Sequence, residues 1–136
     1  MKDTLVGFKV AKLAKEKGFN IPTIQFYTSG KKPYLTEAED YMTERYAESN
    51  WNNEQGSYPT KAEDVSCSAP TQSLLQKWLD IIHNKYVHVE KHNRNGLKCY
   101  SPFIDNIPVK EAFFNDYDKP EEAWEIGLQE ALKLIK

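Results

Sequence analysis

Residues 68–135 read SAPTQSLLQKWLDIIHNKYVHVEKHNRNGLKCYSPFIDNIPVKEAFFNDYDKPEEAWEIGLQEALKLI, and the fold is decided there. Leu74, Leu75, Trp78, Leu79 and Ile82 recur at helical spacing, and Ser68 stands before Pro70, which suits a first helical turn ending near Asn84. Tyr86-Val87-His88-Val89-Glu90 alternates as a half-buried strand with Val87 and Val89 inward. Asn93-Arg94-Asn95-Gly96 is rich in left-handed formers, so it predicts a turn into a second strand over 97–103. Pro102 and Pro108 mark edges or breaks, with a third, shorter strand expected over 109–113. The last helix opens on Asp118 and Glu121 as a capping box, with Pro120 in its first turn. Trp124, Leu128, Ala131 and Ile135 form its core stripe, while Ala123, Gly127 and Ala131 leave a flat strip for close approach.

The expected fold is therefore α+β. An antiparallel three- to four-stranded sheet carries helices on one face, and the second half runs in α-β-β-β-α order. Trp78 and Trp124 are expected to be mostly buried against a sheet face carrying Val87, Val89, Leu97 and Cys99, with Leu74, Leu75, Ile82, Leu128 and Ile135 around them.

Outward from that core, residues 4–17 predict a first helix with Leu5, Val6, Val10, Leu13 and Ala14 on one stripe. Asp3 or Thr4 can cap it, Gly18 supplies a left-handed exit, and Phe19 adds the apolar contact that often follows. Thr23-Ile24-Gln25-Phe26-Tyr27-Thr28 alternates as a strand ended by Ser29-Gly30. Thr36 and Glu39 match a capping box, so Tyr41, Met42, Arg45 and Tyr46 can share one face of a short acidic helix. Residues 49–66 then read as a surface loop, longer than a compact domain tolerates without a use for it. The expected organisation is one domain over 1–136: a helix plus strand over 1–30, an acidic, aromatic, loop-rich segment over 31–66, and the αβββα core over 67–136.

Composition narrows the function classes. A 40% hydrophobic share with 12% aromatics supports a folded core. Eighteen basic against 20 acidic residues, a net charge of −2, announce neither a nucleic-acid nor a membrane partner. The imbalance is local: residues 1–20 hold five Lys against two acids, and 36–64 hold eight acids against Arg45 and Lys61. Cys67 and Cys99 form no CxxC pair, so two idle thiols in a reducing cytoplasm are the expectation. No signal peptide or membrane span is legible.

Three segments resemble a family of short phage and prophage proteins. They are Ala11-Lys-Leu-Ala-Lys-Glu-Lys-Gly-Phe19, Ser68-Ala-Pro-Thr-Gln-Ser-Leu-Leu-Gln-Lys-Trp-Leu79 and Glu121-Glu-Ala-Trp-Glu-Ile-Gly-Leu-Gln-Glu-Ala-Leu132. Together they cover about half the chain, and the resemblance implies a fold lineage but no activity. The element order is also similar to that of a double-stranded-RNA-binding domain, which reads duplex shape through phosphate and 2′-hydroxyl contacts. Such domains carry a basic cluster where the last helix begins. Here that position reads Asp118-Lys119-Pro120-Glu121-Glu122, which would repel phosphate.

Candidate chemistry is sparse. His83, His88 and His92 fall close together, but on a strand His88 and His92 would stand ~13 Å apart, too far for one ion. Cys67 precedes a helix whose dipole favours a thiolate, yet its small neighbours suit a packed residue better. No nucleophile elbow or phosphate loop is present. Neither an enzyme, a metal site nor a cofactor is expected. What remains is a cytoplasmic, monomeric or weakly dimeric protein acting by binding a host or phage protein, with a nucleic-acid module as the alternative. Trp51 and Tyr58, with Tyr41 and Tyr46, are the candidate contact residues, because exposed Tyr and Trp supply large contact area at low entropy cost.

Overall fold

The computed structural model describes residues 4–23, 25–28, 35–37, 39–40, 45–46, 65–109 and 117–135. The architecture is α+β, and the chain divides into two compact units that meet in sequence between Pro70 and Thr71.

The first unit begins with α1, Phe8–Glu16. It is shorter than the 4–17 expected, and its cap is Gly7 rather than Asp3 or Thr4. The backbone upstream is engaged elsewhere: the Val6 N–H donates to Pro70 O at 3.0 Å, and Gly7 is extended at φ −72° and ψ 167°. Val10, Ala11 and Ala14 are buried. The exit is as the sequence predicts: Gly18 has φ 91°, its N–H returns to Lys15 O, and the Phe19 N–H returns to Ala14 O. This is a Schellman closure, and Phe19 is buried beneath it.

Strand β1, Gln25–Thr28, lies between β2, Leu35–Glu37, and β5, Val65–Ser68, both antiparallel to it. Phe26 is its fully buried residue, and Tyr27 Oη donates to Val6 O at 2.7 Å. Two short strands, β3 (Glu39–Asp40) and β4 (Arg45–Tyr46), pair with each other. At the described residues 35–37, 39–40 and 45–46, strands therefore stand where the short helix was expected. A capping box stabilises a helix that has other support, but Leu35, Thr36 and Glu37 find backbone partners in β1. Ser68 likewise does not open a helix. It pairs with Phe26 as part of β5.

In the second unit α2 spans Gln72–His83. Thr71 is the N-cap, its hydroxyl accepting the Leu74 N–H at 3.1 Å, so Pro70 precedes the helix instead of sitting in its first turn. Leu75, Trp78 and Leu79 are buried, whereas Ile82, expected in the core, is 62% exposed. Periodicity marks which side of a helix is apolar, not how far along the cover extends.

Strands β6 (Val87–Arg94), β7 (Leu97–Ile104) and β8 (Ile107–Pro108) make an antiparallel meander. Asn95 and Gly96, at φ 54° and 82°, form a two-residue hairpin turn of the primed kind. Asp105 and Asn106, at φ 51° and 67°, make the second turn without a glycine. The third strand thus starts at Ile107, earlier than expected. Of the 109–113 span only Val109 is described, and it is buried.

The tight first turn also fixes which residues share a face. Val87 opposes Ile104 and Val89 opposes Pro102, so odd positions of β6 match even positions of β7. Leu97 and Cys99 therefore lie on the face opposite Val87 and Val89, which corrects the expected core. Leu97 is 72% exposed.

Helix α3, Pro120–Lys133, has Pro120 at its first position and Lys119 as N-cap, with no side-chain cap. The box expected from Asp118 is displaced because proline's fixed φ suits the first helical residue. Ala123, Leu128, Ala131 and Leu132 are fully buried. Trp124 is only partly buried, so it contributes less than Trp78, which is 3% exposed. Gly127 is where α3 meets the meander: a Cβ built there would stand 2.9 Å from Val87 Cγ1 and 3.0 Å from Pro102 Cβ. The small-residue strip is used for close approach, as the sequence suggests.

Two stability outcomes follow from this packing. Gly127→Val should unfold the second unit or lower its melting temperature by many degrees, since overpacking typically costs ~1–3 kcal/mol and the contacted Pro102 ring cannot rotate away. Trp78→Ala should cost ~3–5 kcal/mol and Trp124→Ala clearly less. Circular-dichroism melts check both, and equal losses for the two tryptophans would contradict the packing described.

Candidate binding cleft

At one end of the second unit, the segment after α2, the β7–β8 turn and the last turns of α3 surround a cleft of about 400 Å³. Its lining is mostly apolar, from Ile104, Ile107, Pro108, Val109 and Leu134, with Lys85, Asp105 and Glu130 among them. That volume lies within the range of sites that accept a small ligand or a few side chains.

Local chemistry explains how each wall is held. Asn84 ends α2 in the left-handed conformation, φ 54° and ψ 40°, and the Lys85 N–H returns to Leu79 O at 3.0 Å. Lys85 is thereby turned into the cleft lining directly after the helix. Asp105 ties that segment to the β7–β8 turn three ways. Its N–H donates to Tyr86 O at 2.8 Å, its Oδ1 accepts the Tyr86 N–H at 2.9 Å, and its Oδ2 lies 3.8 Å from Lys85 Nζ. The ion pair is long and both side chains are solvated, so the backbone-directed bonds carry more of the restraint.

The third wall is the end of α3. Glu130 has a side chain only 14% exposed, and its Oε1 accepts from Lys133 Nζ at 2.9 Å. Ile104 and Val109 are buried, while Ile107 and Leu134 are 67% and 56% exposed. Large apolar groups standing in water beside a concave apolar surface are the usual mark of an interaction site.

The even-numbered face of β6 holds a second group of chemical interest. The His88 ring stacks on Phe103 at 5.0 Å and on Tyr86 at 5.5 Å, and its Nε2 lies 3.3 Å from Glu90 Oε1. His92 Nε2 lies 3.1 Å from Ser101 Oγ, and Cys99 Sγ donates weakly to His92 O at 3.5 Å. A serine on an imidazole is half of a nucleophile–base pair. Here the register accounts for it: His92 opposes Cys99 and Ser101 opposes Glu90, so His92 and Ser101 are ordinary diagonal neighbours. His83 is engaged elsewhere, edge-on to Trp78 at 4.6 Å. Among the described residues no His, Cys, Asp and Glu group is placed to hold a metal ion.

Of the contact residues expected from sequence, Trp51, Tyr58 and Tyr41 lie outside the described residues, and Tyr46 is the β4 residue opposite Glu39. The cleft was missed by sequence reasoning. Its signal was present in Ile104-Asp-Asn-Ile107, two isoleucines astride a pair of residues that tolerate positive φ. No family model, curated protein or solved structure matches the chain.

Asp105 is the restraint most easily tested. Asp105→Ala removes the bond to the Tyr86 N–H and leaves a Cβ-bearing residue at positive φ without a local side-chain partner, a loss of about 1–2 kcal/mol. Asp105→Asn keeps both features and should lose less than half of that. Urea denaturation compares the two, and an equal cost would show that the ion pair to Lys85 carries the restraint.

Proposed function

We propose that this is a non-catalytic, phage-associated protein that works by holding part of another polypeptide, of host or phage origin, in the cleft at the end of its second unit. The single observation that carries the reading is the pair Ile107 and Leu134, each more than half exposed beside the apolar lining of Ile104 and Val109. Burying such groups on association is favourable by roughly 25 cal/mol per Å² of apolar surface. The phage lineage rests on the resemblance of the 11–19, 68–79 and 121–132 segments. A cytoplasmic setting is supported by the two buried cysteines, Cys67 and Cys99, which form no CxxC pair. No helix among the described residues is long and apolar enough to cross a membrane. The protein is taken as a monomer or weak dimer when its partner is absent.

A duplex-nucleic-acid reading draws on the α-β-β-β-α order of the second unit. The opening of α3 weighs against it, because Asp118, Glu121 and Glu122 are exposed there. Affinity capture with the intact chain and with an Ile107→Asp, Leu134→Asp double variant separates the two readings. Both positions are exposed, so the variant should melt within a few degrees of the parent. The reading expects a protein retained by the parent and lost by the variant. Recovery of duplex RNA or DNA that weakens steeply with salt, equally for both proteins, would replace it with the nucleic-acid reading.

A further inference from the structure

We propose that Asn95 is a self-modification site, at which the side chain closes on the Gly96 amide nitrogen to a cyclic imide that water opens to aspartate or isoaspartate. The site is independent of the cleft. Asn95 is the one asparagine of the chain that precedes a glycine; every other is followed by a residue whose side chain crowds the attacking nitrogen. Asn95 and Gly96 are both exposed. Among the described residues, neither the Gly96 N–H nor the Asn95 carboxamide has a partner.

The step balances with water alone. The deprotonated Gly96 nitrogen attacks Asn95 Cγ, an N–Cγ bond forms, the Cγ–Nδ2 bond breaks, and the nitrogen lost leaves as ammonia with the proton. Water then adds to either imide carbonyl. Ring closure needs Cβ, Cα, the carbonyl carbon and the Gly96 nitrogen near one plane. For an L residue that means ψ near about −120°, the geometry of the first central position of a type II′ turn, where φ is about +60°. The turn here has φ 54° at Asn95 and 82° at Gly96, which makes it type I′. The φ of Asn95 is therefore already suitable, and one flip of the 95–96 peptide plane supplies the rest. Both primed turns match the twist of the flanking strands, so β6 and β7 stay paired through the flip. The second turn is an internal contrast. Asp105 opens it at φ 51°, but its ionised carboxylate is a poor electrophile, accepts the Tyr86 N–H at 2.9 Å and is followed by Asn106.

The two products differ in consequence. Aspartate keeps a favoured turn pair with Gly96. Isoaspartate adds a methylene to the backbone of the turn that sets the register of Arg94 on Leu97 and of the ladder behind it.

Incubating the intact protein in mildly alkaline buffer, with peptide mapping by mass spectrometry, reads the conversion of each asparagine to acid. Asn95 should outpace every other asparagine. Its rate should fall within about tenfold of that in the urea-unfolded chain, the cost of flipping one peptide and not of opening the hairpin. A slower reaction than that in the folded protein, or conversion no faster than at other asparagines, overturns the proposal. Asn95→Asp, which copies one product, should melt within a few degrees of the parent, and the separated isoaspartate form several degrees lower. Equal melting of the two forms would overturn the effect on register.

Discussion

The approach of α3 to the β6–β7 ladder at Gly127 is the constraint on which the second unit depends. With Val87 Cγ1 and Pro102 Cβ at 2.9 and 3.0 Å from where a Cβ would stand, no larger residue lets the helix lie this close. Close approach is what buries Leu128, Ala131 and Leu132 completely in a helix whose apolar side is otherwise built from small residues. Glycine in a helix interior costs about 1 kcal/mol relative to alanine, so its use here indicates that packing outweighs local propensity. Gln72 reinforces the arrangement from α2. Its Nε2 donates to Glu121 O at 2.9 Å, joining one helix to the first turn of the other.

The cleft follows from that seating together with turn chemistry. Once α3 is set against β6 and β7, its last turn comes to lie beside the β7–β8 turn, and the space between them is the cleft. Two-residue turns leave no slack. Asn95-Gly96 fixes the register of the long hairpin, and Asp105-Asn106 reverses the chain immediately after the buried Ile104 and projects Ile107 outward. Asp105 then joins the turn to Tyr86 through the backbone. Exposed apolar groups thus sit on well-restrained elements, which suits recognition with little ordering cost.

Much of this was legible in the residues, and the rest was hidden for identifiable reasons. The α-β-β-β-α order, the Schellman closure at Gly18 and Phe19, the Asn95-Gly96 turn and the small strip of α3 all depend on local rules that a single chain displays. The shared face of Val87 with Ile104 depends on where the turn closes, and one residue of uncertainty reverses it. That is why Leu97 and Cys99 were placed with the wrong partners. The strands at 35–37 and 45–46 depend on backbone pairing with 25–27 and 39–40, which overrode a capping box. The cleft itself depends on how α3 ends beside a turn some thirty residues earlier in the chain, a juxtaposition that no periodicity encodes. Asp105-Asn106 was readable as a turn, yet the two prolines nearby drew the strand boundary later.

The central claim is that a restrained apolar cleft stands open to solvent in the free protein. Methyl relaxation in the presence of a soluble paramagnetic agent tests it directly. The account expects strong enhancement at the methyls of Ile107 and Leu134, with Val87 and Leu128 shielded. Shielding of Ile107 and Leu134 to the level of Val87 would show the cleft already filled, and the surface assigned to binding would not exist.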